Sequence, residues 1–386
     1  MKYFYFTITL TFVAWLAQSC KVIPPQVAAP QDSSRMKTVD DKIPTAITQD
    51  TVDIKTFRLL KDTVRIVGVG DIMMGTNFPS AQYLPPAGGK ELFLSVEEVL
   101  KRGDITFGNL EGVILDSGGI QKKCKNPDLC YLFRTPESYI QNLVDAGFNL
   151  LSTANNHGGD FGEEGRLSTM RVLDSMGIHH AGLSQRPYVV FKIDHMKFGF
   201  AAFSPNAGTL SIHDSVTART IVAHLDSISD IVIVSIHAGA EGRKYQNVTR
   251  EKETFYGENR GNVYQFSHDM IDHGADLVFG HGPHISRAIE VYKARFIAYS
   301  LGNFCTYARF NLRDENGYAP IIELVTNSKG EFIEGLITPI VQKGRGGPII
   351  DEDKRAIVKI QELTSIDFPE SQIKIDPSGL ISYIQD

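Results

Sequence analysis

Positive charge, long apolar runs and glycine-rich phosphate loops are all scarce in this 386-residue chain, and each scarcity excludes a class of function. Lys and Arg number 39 against 45 Asp and Glu, a formal net charge of −6. A general nucleic-acid binder needs a basic face or stripe, so no nucleic-acid partner is expected. The uncharged stretch from Tyr3 to Leu16 is 14 residues long, short of the roughly 17–25 that a spanning helix needs, and no other segment is long enough. GDIMMGTN and GHGPH lack the spacing of a dinucleotide or Walker loop. Internal repeats and heptads are missing as well. What is present, 42% hydrophobic and 22% charged residues, is the composition of packed globular domains. The length allows one large α/β domain or two smaller ones.

The N-terminus, MKYFYFTITLTFVAWLAQSC, has one Lys, the short apolar stretch, and small or polar residues before Cys20. It reads as an export signal over residues 1–19. A cysteine directly after such a site resembles a bacterial lipobox, so Cys20 is the expected lipidation site, with a plain cleaved signal as the alternative. Residues 21–61, rich in Pro, Gln, Thr, Asp and Lys, read as a tether between that anchor and a body covering 62–386. An exported lipoprotein held at the cell envelope is the expected location. Cys124 and Cys130 bracket the turn-forming KNPDL, consistent with a local disulfide in an oxidising compartment or with two free loop thiols. Cys305, in the apolar-flanked SLGNFC, reads as buried.

Six short apolar runs each end in a small residue or turn followed by a polar group: VRIVGVG before Asp71, DITFGNL before Glu111, FNLLSTA before Asn155, IVIVSI before His237, DLVFG before His281, and FIAYSLG before Asn303. They read as buried strands. Helical spacing lies between them, at Glu91 to Arg102, Pro136 to Ala146, Glu163 to Met176 and Tyr264 to His273. The alternation predicts an α/β fold with helices covering a sheet, and in such sheets ligands gather beyond the carboxyl ends of the strands. KIDHMKFGFAAFS reads as a hairpin turning near Met196-Lys197, and APIIELVTNSKGEFIEGLITPIVQ as another turning at Ser328-Lys329-Gly330. These antiparallel signals predict a mixed sheet or two stacked sheets. A further helical period follows Gly347.

Four of the 11 histidines fall at predicted strand ends: His157, His237, His281 and His284. Imidazoles and carboxylates suit first-row divalent ions, so Asp71, Glu111, Asn156, His237, His281 and His284 form a candidate metal set. Singly, each has a bland reading as a cap, turn former or solvated charge. Together they are harder to dismiss, because Gly280-His281-Gly282-Pro283-His284 puts two imidazoles in one tight turn. Two divalent ions facing two carboxylates leave a surplus of about two positive charges, which favours an anionic substrate such as a phosphate ester. Such ions polarise a phosphoryl oxygen and activate water. His157, with Asn155 and Asn156 before it, is placed to protonate a leaving oxygen. Glu241 is expected to orient an imidazole, and Arg134 to steer an anion, with a surface salt bridge as its alternative role.

GDIMMG at Asp71, GNLEG at Glu111, FRTP at Arg134, ANNHGGDFGEEG around His157, HAGAE at His237, GADLVFGHGPH at His284 and AYSLGNF at Asn303 resemble, in order and spacing, the CapA family linked to poly-γ-glutamate capsule biosynthesis, within the calcineurin-like metallophosphoesterase superfamily. The resemblance spans about residues 64 to 342. It implies a four-layer αββα sandwich of two mixed sheets, a divalent metal cofactor with two ions of Mn, Fe or Zn, and an anionic small-molecule or polymer substrate. It also implies capsule-synthesis membrane proteins as partners. The chain departs from the pattern at Met73, where superfamily enzymes usually carry a histidine, at Ala238, where the family commonly has Trp, and at Gly282, where it commonly has His. Two functions are therefore expected to compete: a metal-dependent hydrolase, and a non-catalytic accessory for synthesis or export of an anionic polymer.

Overall fold

The computed structural model describes residues 62–124 and 130–383. The export signal 1–19, Cys20 and the tether through residue 61 lie outside the described residues, as does the interior of the KNPDL turn. Cys124 and Cys130, on either side of that turn, are joined as a disulfide, and Cys305 is a buried free thiol. Among the described residues, no helix is long and apolar enough to cross a membrane.

Two large mixed sheets dominate, one of ten strands and one of seven. In the first, the strand Thr63–Met73 lies centrally, parallel to Ile105–Leu110 on one side and antiparallel to Tyr318–Asn327 on the other. The parallel order continues to Leu150–Ser152 and His179–Ala181. In the second sheet, Met196–Ser204, Ile231–His237, Leu277–His281 and Arg295–Ala298 are neighbours and parallel. Ile231–His237 and Leu277–His281 are buried along their whole length, which is why they read as continuous apolar runs rather than alternating ones.

Alternation along each strand divides the side chains between two faces. Ile66, Ile105, Phe107 and Leu150 of the first sheet meet Phe198, Phe200, Ile233 and Phe279 of the second in one core cluster. Phe107 stacks on Phe279 with ring centroids 5.0 Å apart. The opposite face of the first sheet, through Val67, Val69 and Leu151, packs on Leu100, Ile140, Leu143 and Leu173 of helical segments. The opposite face of the second, through Val232, Val234 and Val278, packs on Val222 and Leu225 of helix Ser215–Ile228 and on Phe266 and Met270 of helix Val263–Asp272. Helix, sheet, sheet, helix is a four-layer αββα sandwich.

Several expected elements are modified. The segment expected as a helix from Glu91 holds only one α-helical turn, Glu97–Leu100, because its first half is a chain of tight turns with bonds from Leu92 N–H to Gly89 O and Val96 N–H to Phe93 O. The first hairpin turns at Asp194-His195 rather than Met196-Lys197: Ile193 pairs with Met196, and Asp194 takes the positive φ of 51° that a two-residue turn requires. Helix Ser215–Ile228, not among the segments expected, starts where the Asp214 side chain accepts from Thr217 N–H at 3.1 Å.

Candidate metal centre

The parallel strands of both sheets deliver their carboxyl ends to one place. Asp71 is in register with Asn109 on one side and with Asn303 on the other, and His237 is in register with His281. Each sheet needs a glycine just before its central ligand. A Cβ on Gly70 would lie 2.0 Å from the Gly302 carbonyl oxygen, and one on Gly280 would lie 2.2 Å from that of Tyr299. Only glycine lets these backbones approach so closely.

Asp71 is fully buried. One of its oxygens accepts from Asn109 Nδ2 at 2.8 Å and lies 3.4 Å from His281 Nδ1, while the other is 2.9 Å from His284 Nδ1. Asn109 Nδ2 also sits 3.2 Å from His237 Nδ1. Glu111 Oε1 is 3.9 Å from His237 Nε2 and 3.8 Å from His284 Nε2. Asp71, Glu111 and His284 each offer a donor atom within 4.8 Å of one another. His284 reaches this position with φ of 59°, a costly backbone state for a non-glycine residue. Its carbonyl is gripped by Asn303 Nδ2 at 3.2 Å and Asn316 Nδ2 at 3.3 Å.

What these groups lack is more informative than what they have. Both oxygens of Glu111, Nε2 of His237 and both ring nitrogens of His281 are buried without a hydrogen-bond partner. Orphaned buried polar atoms are rare and expensive in folded proteins. Here they converge in one cluster of oxygen and imidazole donors, so the residues present fit a divalent cation. The protonation equilibria of the bare cluster agree. Burial, reinforced by the Asp71 charge, pushes Glu111 well above the usual carboxylate range. Burial opposes ionisation of Asp71 too, but the facing imidazoles of His281 and His284 prevail and hold it well below. Burial holds the His237 imidazole neutral. His284 shifts upward: burial opposes its charge, but Glu111 and Asp71 outweigh it.

Comparison with known proteins now bears on the site. Residues 65–308 match the family described as bacterial capsule synthesis protein PGA_cap. The chain belongs to this family. It is 27% identical over 333 residues to the PGA biosynthesis protein CapA of Bacillus subtilis, covering 82% of this chain and 81% of that protein. It is 28% identical over 309 residues to the capsule biosynthesis protein CapA of Bacillus anthracis, covering 72% and 70%. A purple acid phosphatase from yellow lupin aligns in structure over 76% of this chain and 55% of its own, at 13% identity and a TM-score of 0.35.

The other residues singled out from the sequence fall as follows. His157 has Nδ1 2.7 Å from Asp160 Oδ2, and its ring lies 4.2 Å from that of Phe133. Asn155 donates to Leu110 O at 2.8 Å and Asn109 Oδ1 at 3.2 Å, and accepts from His157 N–H at 3.0 Å, so it ties the His157 turn to the first sheet. Asn156 keeps a buried, unpartnered Oδ1, while its carbonyl accepts from Lys122 Nζ at 2.7 Å. Arg134 makes hydrogen bonds with Asn77 Oδ1 and Gly118 O and lies over the Phe161 ring, 4.8 Å from its centroid. Glu241 accepts from Arg260 Nη2 at 2.8 Å, a partner different from the imidazole expected.

The departures also have locations. The sulfur of Met73 accepts from Gly75 N–H at 3.2 Å, folded back on its own chain. Ala238 and Gly282 are neighbours: a Cβ on Gly282 would lie 2.8 Å from Ala238 O. Asn109 and Asp160 were missed, although the signals existed. Asn109 stands two residues before Glu111 at the end of an expected strand, and Asp160 three residues after His157 within NNHGGD.

Proposed function

We propose that this protein is a metal-dependent hydrolase of capsule-polymer metabolism that cleaves a phosphoester or another anionic bond in a cell-envelope substrate, exported and anchored by a lipid on Cys20. The observation that carries the reading is the buried Glu111 carboxylate, with neither oxygen hydrogen-bonded, beside His237 and His284. Asp71, Glu111, His237, His281 and His284 would hold the cation, with the free Oδ1 of Asn156 as a further donor. We take two ions of Mn, Fe or Zn as the full complement. When bound, such ions supply Lewis acidity, polarising an anionic oxygen and lowering the pKa of water.

The chain's own groups do the rest. Asn109 links Asp71 to Asn155 and fixes the first sheet's donors. Asp160 holds the His157 ring through Nδ1, which leaves Nε2 to exchange a proton with a leaving oxygen. The test is the metal content of the full chain purified without chelators, with turnover of a chromogenic phosphoester, beside His281→Ala and Glu111→Gln. About two ions per chain and turnover, both reduced in the variants, are expected. A chain that stays metal-free after reconstitution, or variants that turn over at the wild-type rate, would overturn it.

The folded-back Met73 favours a second reading, a non-catalytic accessory in synthesis or export of an anionic polymer such as poly-γ-glutamate, working with capsule-synthesis membrane proteins. Under that reading the ligand variants restore capsule to a deficient strain as well as the wild type does.

A further inference from the structure

Arg260 closes the strand Glu258–Gly261, which pairs with Glu253–Phe255 in a small two-stranded sheet. Only 6% of the residue is exposed. A guanidinium is always charged and carries five N–H donors, so burying one is tolerable only when those donors find acceptors. This one is short of them. Nη2 donates to Glu241, but Nε and Nη1 are buried with no hydrogen-bond partner, and Glu258 Oε2 is 3.8 Å from Nε. The Phe255 ring lies 5.6 Å from the guanidinium carbon.

The backbone places this unsatisfied cation beside the centre. Gly239 N–H donates to Arg260 O at 2.9 Å, and Ala238 N–H donates to His281 O at 2.8 Å. One turn, leaving His237, therefore touches both Arg260 and a metal-set histidine.

We propose that Arg260 is the receptor for the substrate's oxyanion, taking a phosphate or carboxylate oxygen on its free Nη1 edge next to the metal cluster, and that Glu241 occupies the guanidinium in the absence of that anion. This rests on the anionic-substrate reading above and names the residue that would select it. The planar fork of a guanidinium matches both kinds of oxyanion, and charge-assisted bonds to it are among the strongest available to a side chain. Glu241 is then a competitor for Arg260 rather than a support for an imidazole.

The experiment is calorimetric titration of the full chain, loaded with Mn, with inorganic phosphate and separately with acetate. Wild type, Arg260→Gln, Arg260→Lys and Glu241→Gln are compared, each checked for metal content and circular dichroism. Arg260→Gln is expected to weaken binding of the preferred anion roughly tenfold or more with metal content unchanged. Arg260→Lys recovers part of the loss, and Glu241→Gln tightens binding. Whether phosphate or acetate binds better identifies the oxyanion and supports the receptor either way. Wild-type affinity in a metal-replete Arg260→Gln overturns it, as does a parallel loss of metal and anion. If Arg260→Gln does not fold, Glu241→Gln decides: tighter binding supports the receptor and unchanged binding overturns it. If the wild type takes up no metal, the hydrolase reading fails on its own, and the same titrations on the metal-free chain still decide. Anion binding that depends on Arg260 sustains the receptor, and its absence overturns it.

Discussion

Two clusters of buried charge lie on either side of the same turn, and they are built on opposite principles. Arg287 and Glu253, both almost wholly buried, form a bidentate pair at 2.8 and 2.7 Å. Arg287 Nη2 also donates to Ala240 O, and Glu253 also accepts from Ala240 N–H. Both carboxylate oxygens and both terminal guanidinium nitrogens are used, leaving Nε of Arg287 as the pair's one unpartnered atom, and the pair clamps the turn that leaves His237. The fit is close enough that a Cβ on Gly239 would lie 3.0 Å from Arg287 Nη1. Asp71, Glu111, His237 and His281 are as deeply buried, with His284 partly exposed beside them, but this cluster keeps five polar atoms without a partner. Equal burial with unequal satisfaction separates a structural ion pair from a site that needs something added.

Breaking the satisfied pair has the largest expected effect. Glu253→Gln leaves a buried guanidinium without its counter-charge and should cost about 3–5 kcal/mol, read from the urea midpoint. Replacing both residues with methionine should recover much of that loss, because the penalty belongs to the unpaired charge and not to the absence of the pair. If the double variant is no more stable than the single one, the clamp contributes through shape instead.

The unsatisfied cluster should answer in the reverse sense. Without metal, Glu111→Gln removes a carboxylate whose ionisation burial already opposes, so its stability should equal or exceed that of the wild type. With metal at a thousandfold excess over its dissociation constant, the wild type should gain about 4 kcal/mol by mass action. Glu111→Gln should gain far less. A thermal melt of both proteins with and without Mn makes the test. A variant destabilised without metal and stabilised normally with it would show that Glu111 is an ordinary structural carboxylate.

The contrast also explains what could be read from the sequence. The two sheets, the strand ends and the residues on them were legible because buried parallel strands leave long apolar runs, and a polar residue interrupting such a run stands out. Asp71, His237 and His281 are of this kind. The partners of those residues were harder to see. Arg260 lies on a short hairpin with no apolar run to flag it, and the Glu241 bond to it crosses 19 residues of chain. The Arg287–Glu253 pair spans 34 residues and depends on how a turn is clamped. Spacing reveals what shares a strand or a helix face, whereas pairing across elements is decided by the sandwich as a whole. The hairpin turn displaced to Asp194-His195 has the same origin, since register there is set by which face of Met196–Ser204 meets the core.

His180 tests an intermediate case and should give the smallest effect. Its side chain is fully buried, with Nε2 3.2 Å from an Asp174 oxygen that is itself engaged with Arg186 at 2.8 Å, while Nδ1 has no partner. Burial, aided by the Arg186 charge, pushes the imidazole down to about 4 from an ordinary 6.5. A group whose folded pKa is depressed contributes stability above its unfolded value and loses it as pH falls toward the folded one. The window here is therefore pH 6.5 down to about 4. Because one pKa unit corresponds to about 1.4 kcal/mol, the loss attributable to His180 at pH 5.5 should be about 1 kcal/mol. Urea midpoints at pH 7 and 5.5 for wild type and His180→Gln measure it as a difference of differences, which cancels the titration of the metal cluster. If the two proteins lose the same stability between these pH values, His180 is not held neutral by its burial, and one good acceptor is enough to keep a buried imidazole charged.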